Sequence, residues 1–374
     1  MRYWNKLQGT VAFFAVSLFV LAACTPTAED VSGTNTSTPA PALVDSTPTT
    51  NAAPDLSAFP VTIDNCDLVI TYEQPPERVV SLSSNATWVL LALGLEEKLV
   101  GISGIGRNPV PPEYADTFAQ LTIITDGNPS HEVVVGADPD FVYSSTRGNF
   151  REEYAGTREA LQALGIHSYL AREYCLEDQE AKVVGVDDIY ADIRNIGQIF
   201  GVAVRAEEVI AGMQAILDEV ATKTASIPTP VSVFYFDSGE GTPVTAGGAG
   251  MANTLIELAG GVNILADFPD EYGDTTWELV IERDPEVIII ADYGATSAEQ
   301  KRDFLLSYPP IQDVTAIKEE RFVIIPLSYT IAGLQNATAV QLLAEAFYPE
   351  LFATTNEPTI SSALAEGIYP EKFN

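Results

Sequence analysis

Histidine and basic residues are scarce in this 374-residue chain, with two histidines, and 19 lysines and arginines against 52 aspartates and glutamates. The formal net charge is −33, and a surface that acidic repels nucleic acid and anionic lipid headgroups. A bare zinc or manganese ion usually takes several histidine or carboxylate ligands at one point, so His131 and His167 argue against direct metal capture. A Ser-His-acid triad would need one of the same two residues. There is no Gly-x-Ser-x-Gly elbow and no Gly-Lys-Ser/Thr phosphate loop. The glycines of Gly247-Gly248-Ala249-Gly250 do not match a dinucleotide fingerprint. Paired acids such as Asp187-Asp188 and Glu152-Glu153 are expected by chance in so acidic a chain. The sequence therefore reads as non-enzymatic, with no resident cofactor or metal.

What is present begins at the amino end. Arg2 and Lys6 precede an apolar run from Val11 to Ala23, of signal-peptide length and too short for a comfortable membrane span. The run ends in Leu21-Ala22-Ala23-Cys24, which resembles the lipobox of bacterial lipoproteins. That resemblance implies cleavage before Cys24 and acylation of its thiol and new amine. Several acyl chains hold a protein on a bilayer where one alone would not. Residues 1–23 then form a signal peptide, and everything after Cys24 lies outside the cytoplasm, anchored to the outer face of the cell membrane. Residues 24–55 are rich in Thr, Pro, Ser, Ala and Asn and read as a disordered tether.

With Cys24 committed to lipid, Cys66 and Cys175 remain, and outside the cytoplasm such a pair reads as a disulfide. It would close a loop of about 110 residues, worth about 4–5 kcal/mol on the chain-entropy model.

After the tether, strands and helices alternate. Arg78–Leu82, Val100–Ile102, Phe141–Tyr143 and Ser168–Leu170 read as strands. Between them lie a helix capped by Ser83-Ser84-Asn85 and stopped by Gly94, and another from Thr157 to Leu164. Ile189, Ile193, Ile196 and Phe200, then Val209, Met213, Ile216 and Val220, recur at helical spacing. Beyond Ile227-Pro228-Thr229-Pro230 the alternation resumes, with strands at Val231–Phe236, Val287–Ile290 and Phe322–Ile325. The expected fold is α/β: two Rossmann-like lobes with mostly parallel sheets, residues 56–185 and 227–374, joined by one long helical bridge, 186–226. The two regions echo one another. Glu132 to Tyr143 matches Glu278 to Ile289 around the turns Asp138-Pro139 and Asp284-Pro285, and Leu91–Gly94 resembles Leu258–Gly261.

Here a family resemblance emerges. Pro76–Leu82, Leu93-Gly94-Leu95, Leu99-Val100-Gly101, Asp138–Val142, Leu164-Gly165-Ile166, the long middle helix, Leu258–Asn263 and Asp284–Ile288 follow one another in a familiar order. The order and spacing resemble the periplasmic-binding-protein lobes that serve iron-complex, haem and cobalamin ABC importers. The resemblance covers about residues 60–350. It implies a ligand cleft between lobes held by a rigid helix, a permease and an ATPase as partners, and a monomer that delivers a chelated metal complex. A siderophore-like iron complex is the first expectation, and cobalamin or haem the alternative. Acids on the outer lobe faces dock such proteins on permease arginines. Glu152 and Glu153 are the lobe-one candidates, while Glu257 lies near the lobe-two helix but the family's acid falls nearer Thr254.

Independently, open parallel sheets collect ligands beyond the carboxyl ends of their strands. The loops there supply the ligand-binding candidates: Ser84, Asn85, Arg107, Arg147, Arg172, Tyr174, Tyr235, Trp277, Tyr293 and Tyr329. Arginine suits carboxylate or phosphate, and flat rings suit a large chelate. A secreted hydrolase, or an adhesin or sensor subunit with a filled cleft and an exposed apolar patch, are the rival classes.

Overall fold

Two parallel sheets organise the chain. They are seen in a computed structural model that describes residues 54–66, 68–106, 108–176 and 183–352. The expected signal peptide, Cys24, nearly all of the tether, and Arg107 lie outside these residues.

A hairpin comes first, β1 (Val61–Asn65) against β2 (Leu68–Tyr72). The first parallel sheet follows: β3 (Val79–Ser81), β4 (Leu99–Ser103), β5 (Ile123–Thr125), β6 (Phe141–Ser144) and β7 (His167–Leu170), ordered β5-β4-β3-β6-β7. The second lobe holds β8 (Val231–Phe236), β9 (Val244–Ala246), β10 (Gly261–Asn263), β11 (Tyr272–Asp274), β12 (Val287–Asp292) and β13 (Phe322–Pro326). Its parallel sheet is ordered β10-β8-β12-β13, and β9 pairs antiparallel with β11. Strands covered on both faces read as continuous apolar runs, and Val79, Val80, Phe141 and Val142 are fully buried. The fold is thus the expected α/β class. The antiparallel pairs β1–β2 and β9–β11, and the strands β5 and β10, carry no expectation from the sequence.

The internal echo has a conformational basis. Asp138 and Asp284 both take left-handed backbone angles, with φ of 53° and 39°. Gly94 and Gly260 likewise sit at φ 72° and 86°, where a helix ends and the chain turns into the next strand. In each lobe an acid after the Asp-Pro turn receives backbone N–H groups from the first strand's edge. Asp140 accepts from Glu77 and Arg78, and Glu286 accepts from Ser232.

The helical middle is two helices rather than one. Val186–Ile199 ends at a turn through Gly201, φ 69°, and Ala203–Thr224 begins beyond it. A left-handed residue cannot continue a helix, so the expected single rod bends there. The second helix is the strut. Its 22 residues span about 33 Å. At its start Arg205 Nε donates to Ala92 O at 2.9 Å in lobe one, and at its end Thr224 packs beside Gly260 in lobe two. One apolar core includes Phe141 and Tyr143, Ile193, Ile210 and Met213, and Val233 and Ile289, so it is continuous from the first sheet through both helices to the second.

Cys66 and Cys175 are bonded, with Cα atoms 4.8 Å apart. The bond pins the turn between β1 and β2 to the short 3-10 helix Arg172–Leu176 that leaves the first sheet.

Candidate functional site

The carboxyl ends of both sheets face one cavity of about 300 Å³. Lobe one supplies a wall of hydroxyls and amides. Ser83 caps the helix Ser84–Ala92, accepting from Ala86 N, and also from Ser145 N at 3.0 Å and Ser145 Oγ at 2.8 Å. The loops after β3 and β6 are therefore tied at one oxygen. Asn149 Nδ2 donates to Leu82 O at 2.6 Å and Ser144 Oγ at 2.9 Å, and Asn108 Nδ2 to Ser84 Oγ at 3.1 Å. Gly104, at φ 65°, lets the loop after β4 approach, since a Cβ there would lie 2.6 Å from Leu82 O.

Lobe two supplies Asp292, Tyr293, Gly294, Ser328 and Ile331. Tyr293 donates to Asp237 Oδ2 at 2.5 Å, and burial together with that bond raises its phenol above the usual range. Beneath it the buried Lys301 ammonium donates to Asp237 O and Ala291 O, each at 2.6 Å, and lies 4.3 Å from the Tyr293 ring centre. A cation joined to two strand ends fixes the ring against the cavity. Among the described lining residues Asp292 is the one charged side chain, and none is basic.

The lobes meet at the cavity floor. Asn85 Nδ2 lies 3.1 Å from Ser328 O and 3.2 Å from Ala332 O across the cleft. Ala332 N in turn donates to Glu173 Oε2 of lobe one at 3.0 Å. Asp192 stands behind this contact, accepting from Tyr169 OH at 2.7 Å and Arg172 N at 3.0 Å. Its burial raises the carboxyl to about 7, against the pull of those two donors.

Of the residues expected here, the structure brings Ser84, Asn85 and Tyr293 to the cavity. Arg107 is outside the described residues, between Gly106 and Asn108, which both line the wall. Arg147 turns aside, its Nη2 donating to Tyr174 O at 2.8 Å. Arg172 lies 3.9 Å from Asp188. The aromatic expectation is corrected at three positions. Trp277 is buried in lobe two among Phe234, Phe236, Phe304 and Tyr308, with Nε1 donating to Glu240 O at 2.8 Å. Tyr235 is buried, its hydroxyl 3.0 Å from Thr330 Oγ1, and Tyr329 joins the apolar core. Trp277 and Tyr329 follow strand ends as expected, whereas Tyr235 lies within β8; in each case a large ring gains more by closing the core than by facing the cleft. Glu152 and Glu153 are exposed in a turn before the helix Arg158–Ala163, not at its start. Ser83, Asn108, Ser145, Asn149 and Asp292 were not among the candidates. Only their position after strands marks them, because small polar residues are common in any loop.

Two α/β lobes, a helical strut and a cavity between strand ends define a two-lobed binding protein. The chain belongs to the periplasmic binding protein family, whose model matches residues 79–329. It is 31% identical over 261 residues to a cobalamin-binding protein of Halobacterium salinarum, a match covering 67% of this chain and 64% of that relative's length. It is 25% identical over 304 residues to an uncharacterized ABC transporter substrate-binding lipoprotein of Bacillus subtilis, covering 79% of this chain and 87% of that protein. The solved structure of an ABC-type Fe3+-hydroxamate transport system from Saccharomonospora viridis superposes with a TM-score of 0.65 at 26% identity. It covers 77% of this chain and 99% of that one.

Proposed function

We propose that this chain is the extracytoplasmic solute-binding component of an ABC importer, and that its solute is a corrinoid. The observation that carries the reading is the character of the cavity. Its described walls combine Ser, Thr and Asn side chains with the apolar Leu82, Leu327 and Ile331 and the Tyr293 ring, and their one charge is the Asp292 carboxylate. The anionic groups of haem and of many ferric chelates would find donors in such walls but meet the Asp292 carboxylate there. A corrinoid presents a rim of neutral amides, which both donate to and accept from the Ser and Asn side chains of the wall. A cavity of about 300 Å³ takes one edge of such a molecule, with the rest in the cleft mouth. The cobalamin-binding relative from Halobacterium salinarum supports this choice over the iron complex expected first.

Capture is reversible and involves no bond making. The lipobox at Cys24 would tether the protein near its permease, and the similarity to a substrate-binding lipoprotein supports that arrangement. Glu152 and Glu153, exposed on lobe one, are assigned to the permease contact. The protein acts as a monomer, and the permease and its ATPase complete the importer.

Native mass spectrometry of the ligand-free chain with cyanocobalamin, a ferric hydroxamate and haemin, each in turn, tests the reading. One cyanocobalamin per chain with no such complex for haemin or hydroxamate is expected. Binding of haemin or hydroxamate alone would overturn the corrinoid assignment.

A further inference from the structure

The loop after β13 is held by lobe one at two points, and one of them is an acid. Asn85 donates to its carbonyls, and Glu173 accepts from the Ala332 amide. Glu173 is only 5% exposed, and its second oxygen, Oε1, is buried with no hydrogen-bond partner among the described residues. The cystine at Cys175 and the Arg172 N–H bond to Asp192 fix the short helix that carries it. Glu173 therefore cannot swing out to water while the lobes stay in contact. A buried carboxylate with half its lone pairs unused is costly as an anion and much less so as a neutral acid.

We propose that Glu173 is a proton-controlled latch between the lobes: as a neutral acid it keeps the loop after β13 against lobe one, and as an anion it releases it. The charges facing it are of one sign. Glu271 stands ahead of β11, Asp188 and Asp192 lie on the helix Val186–Ile199, and the Tyr272 phenol faces it from β11. The cation on its own short helix, Arg172, is turned toward Asp188 at 3.9 Å. Burial does most to raise the Glu173 carboxyl, to about 8; Glu271 adds to it, the Ala332 amide opposes it, and Asp192 and Asp188 add further.

The sign follows from linkage. With the lobes apart, Glu173 faces water and returns to the ordinary carboxylate range. Closing therefore takes up a proton. Closure is most favoured below that range and is progressively lost as pH rises toward 8, by up to about tenfold in the open-to-closed ratio per pH unit. Ser328 and Ile331 of the same loop line the cavity, so the latch links external acidity to the shape of the site.

The test uses the ligand-free protein, so it stands apart from the corrinoid assignment. Hydrogen exchange of residues 327–333 is followed by mass spectrometry from pH 5 to 9, corrected for intrinsic exchange. Protection should fall as pH rises toward 8 in the wild type. Glu173→Gln, which keeps an acceptor for Ala332 N and cannot ionise, should hold it flat. Corrected protection that does not change with pH in the wild type overturns the latch. So does a Glu173→Gln profile that tracks the wild type. If Glu173→Gln does not fold, the wild-type series alone decides, together with a carboxyl-carbon NMR titration in which Glu173 must titrate near 8. Titration in the ordinary carboxylate range would overturn the proposal.

Discussion

Asn85 of lobe one and Ala332 of lobe two are joined across the cleft by a hydrogen bond of 3.2 Å. The same amide nitrogen reaches Ser328 O, and a Cβ on the neighbouring Gly333 would lie 2.6 Å from it. One side chain thus lines the cavity and closes its floor. Asn85→Leu keeps the branched shape and removes the donor, leaving buried carbonyls unpaired at about 1–3 kcal/mol. We expect solute affinity to fall at least tenfold by calorimetry while the far-ultraviolet spectrum stays native. Unchanged affinity would separate the lobe contact from binding.

The cystine joins residues 109 apart in sequence. Replacing Cys66 and Cys175 by serine should cost about 2–5 kcal/mol in urea unfolding. Because the bond holds the helix carrying Glu173, exchange at residues 172–176 should rise before the rest of lobe one opens. Uniform destabilisation with no local rise would contradict this placement.

Gly197 and Ala206 meet where the two middle helices pack, and a Cβ on Gly197 would lie 2.5 Å from Ala206 Cβ. Gly197→Val should therefore destabilise by about 1–3 kcal/mol through overpacking. Denaturant unfolding measures it, and a neutral result would show that the pair yields without strain.

Asp192 gives a pH dependence of folding. Its carboxyl lies near 7 when folded, raised by burial, and near 3.8 in the unfolded chain. The folded state holds a proton that the unfolded state releases, so this contribution is complete below about pH 4 and is lost as pH rises to 7. Melting temperature should decline across that window in the wild type. Asp192→Asn, which still accepts from Tyr169 and Arg172, should make the decline shallower and leave the part that Glu173 contributes. Equal slopes for both proteins would remove Asp192 as the cause.

Much of the fold was legible because buried parallel strands are apolar runs, and the turns between them need residues that tolerate left-handed angles. Asp138, Asp284, Gly94 and Gly260 sit at such angles, which is why the two halves read alike. The antiparallel pairs β1–β2 and β9–β11 were not legible, since short partly exposed strands leave little pattern. The site was legible in position and not in detail. Strand ends marked Ser84, Asn85 and Tyr293, but whether a side chain there faces its own core or the cleft depends on packing between distant segments. Trp277 and Tyr235 went inward for that reason.

The most direct test is where cobalamin shields the backbone. Hydrogen exchange with and without cyanocobalamin should show protection on both walls together, at residues 83–85 and 144–149 of lobe one and 292–294 and 327–331 of lobe two. Protection confined to one lobe, or to a surface away from these strand ends, would contradict capture between the lobes.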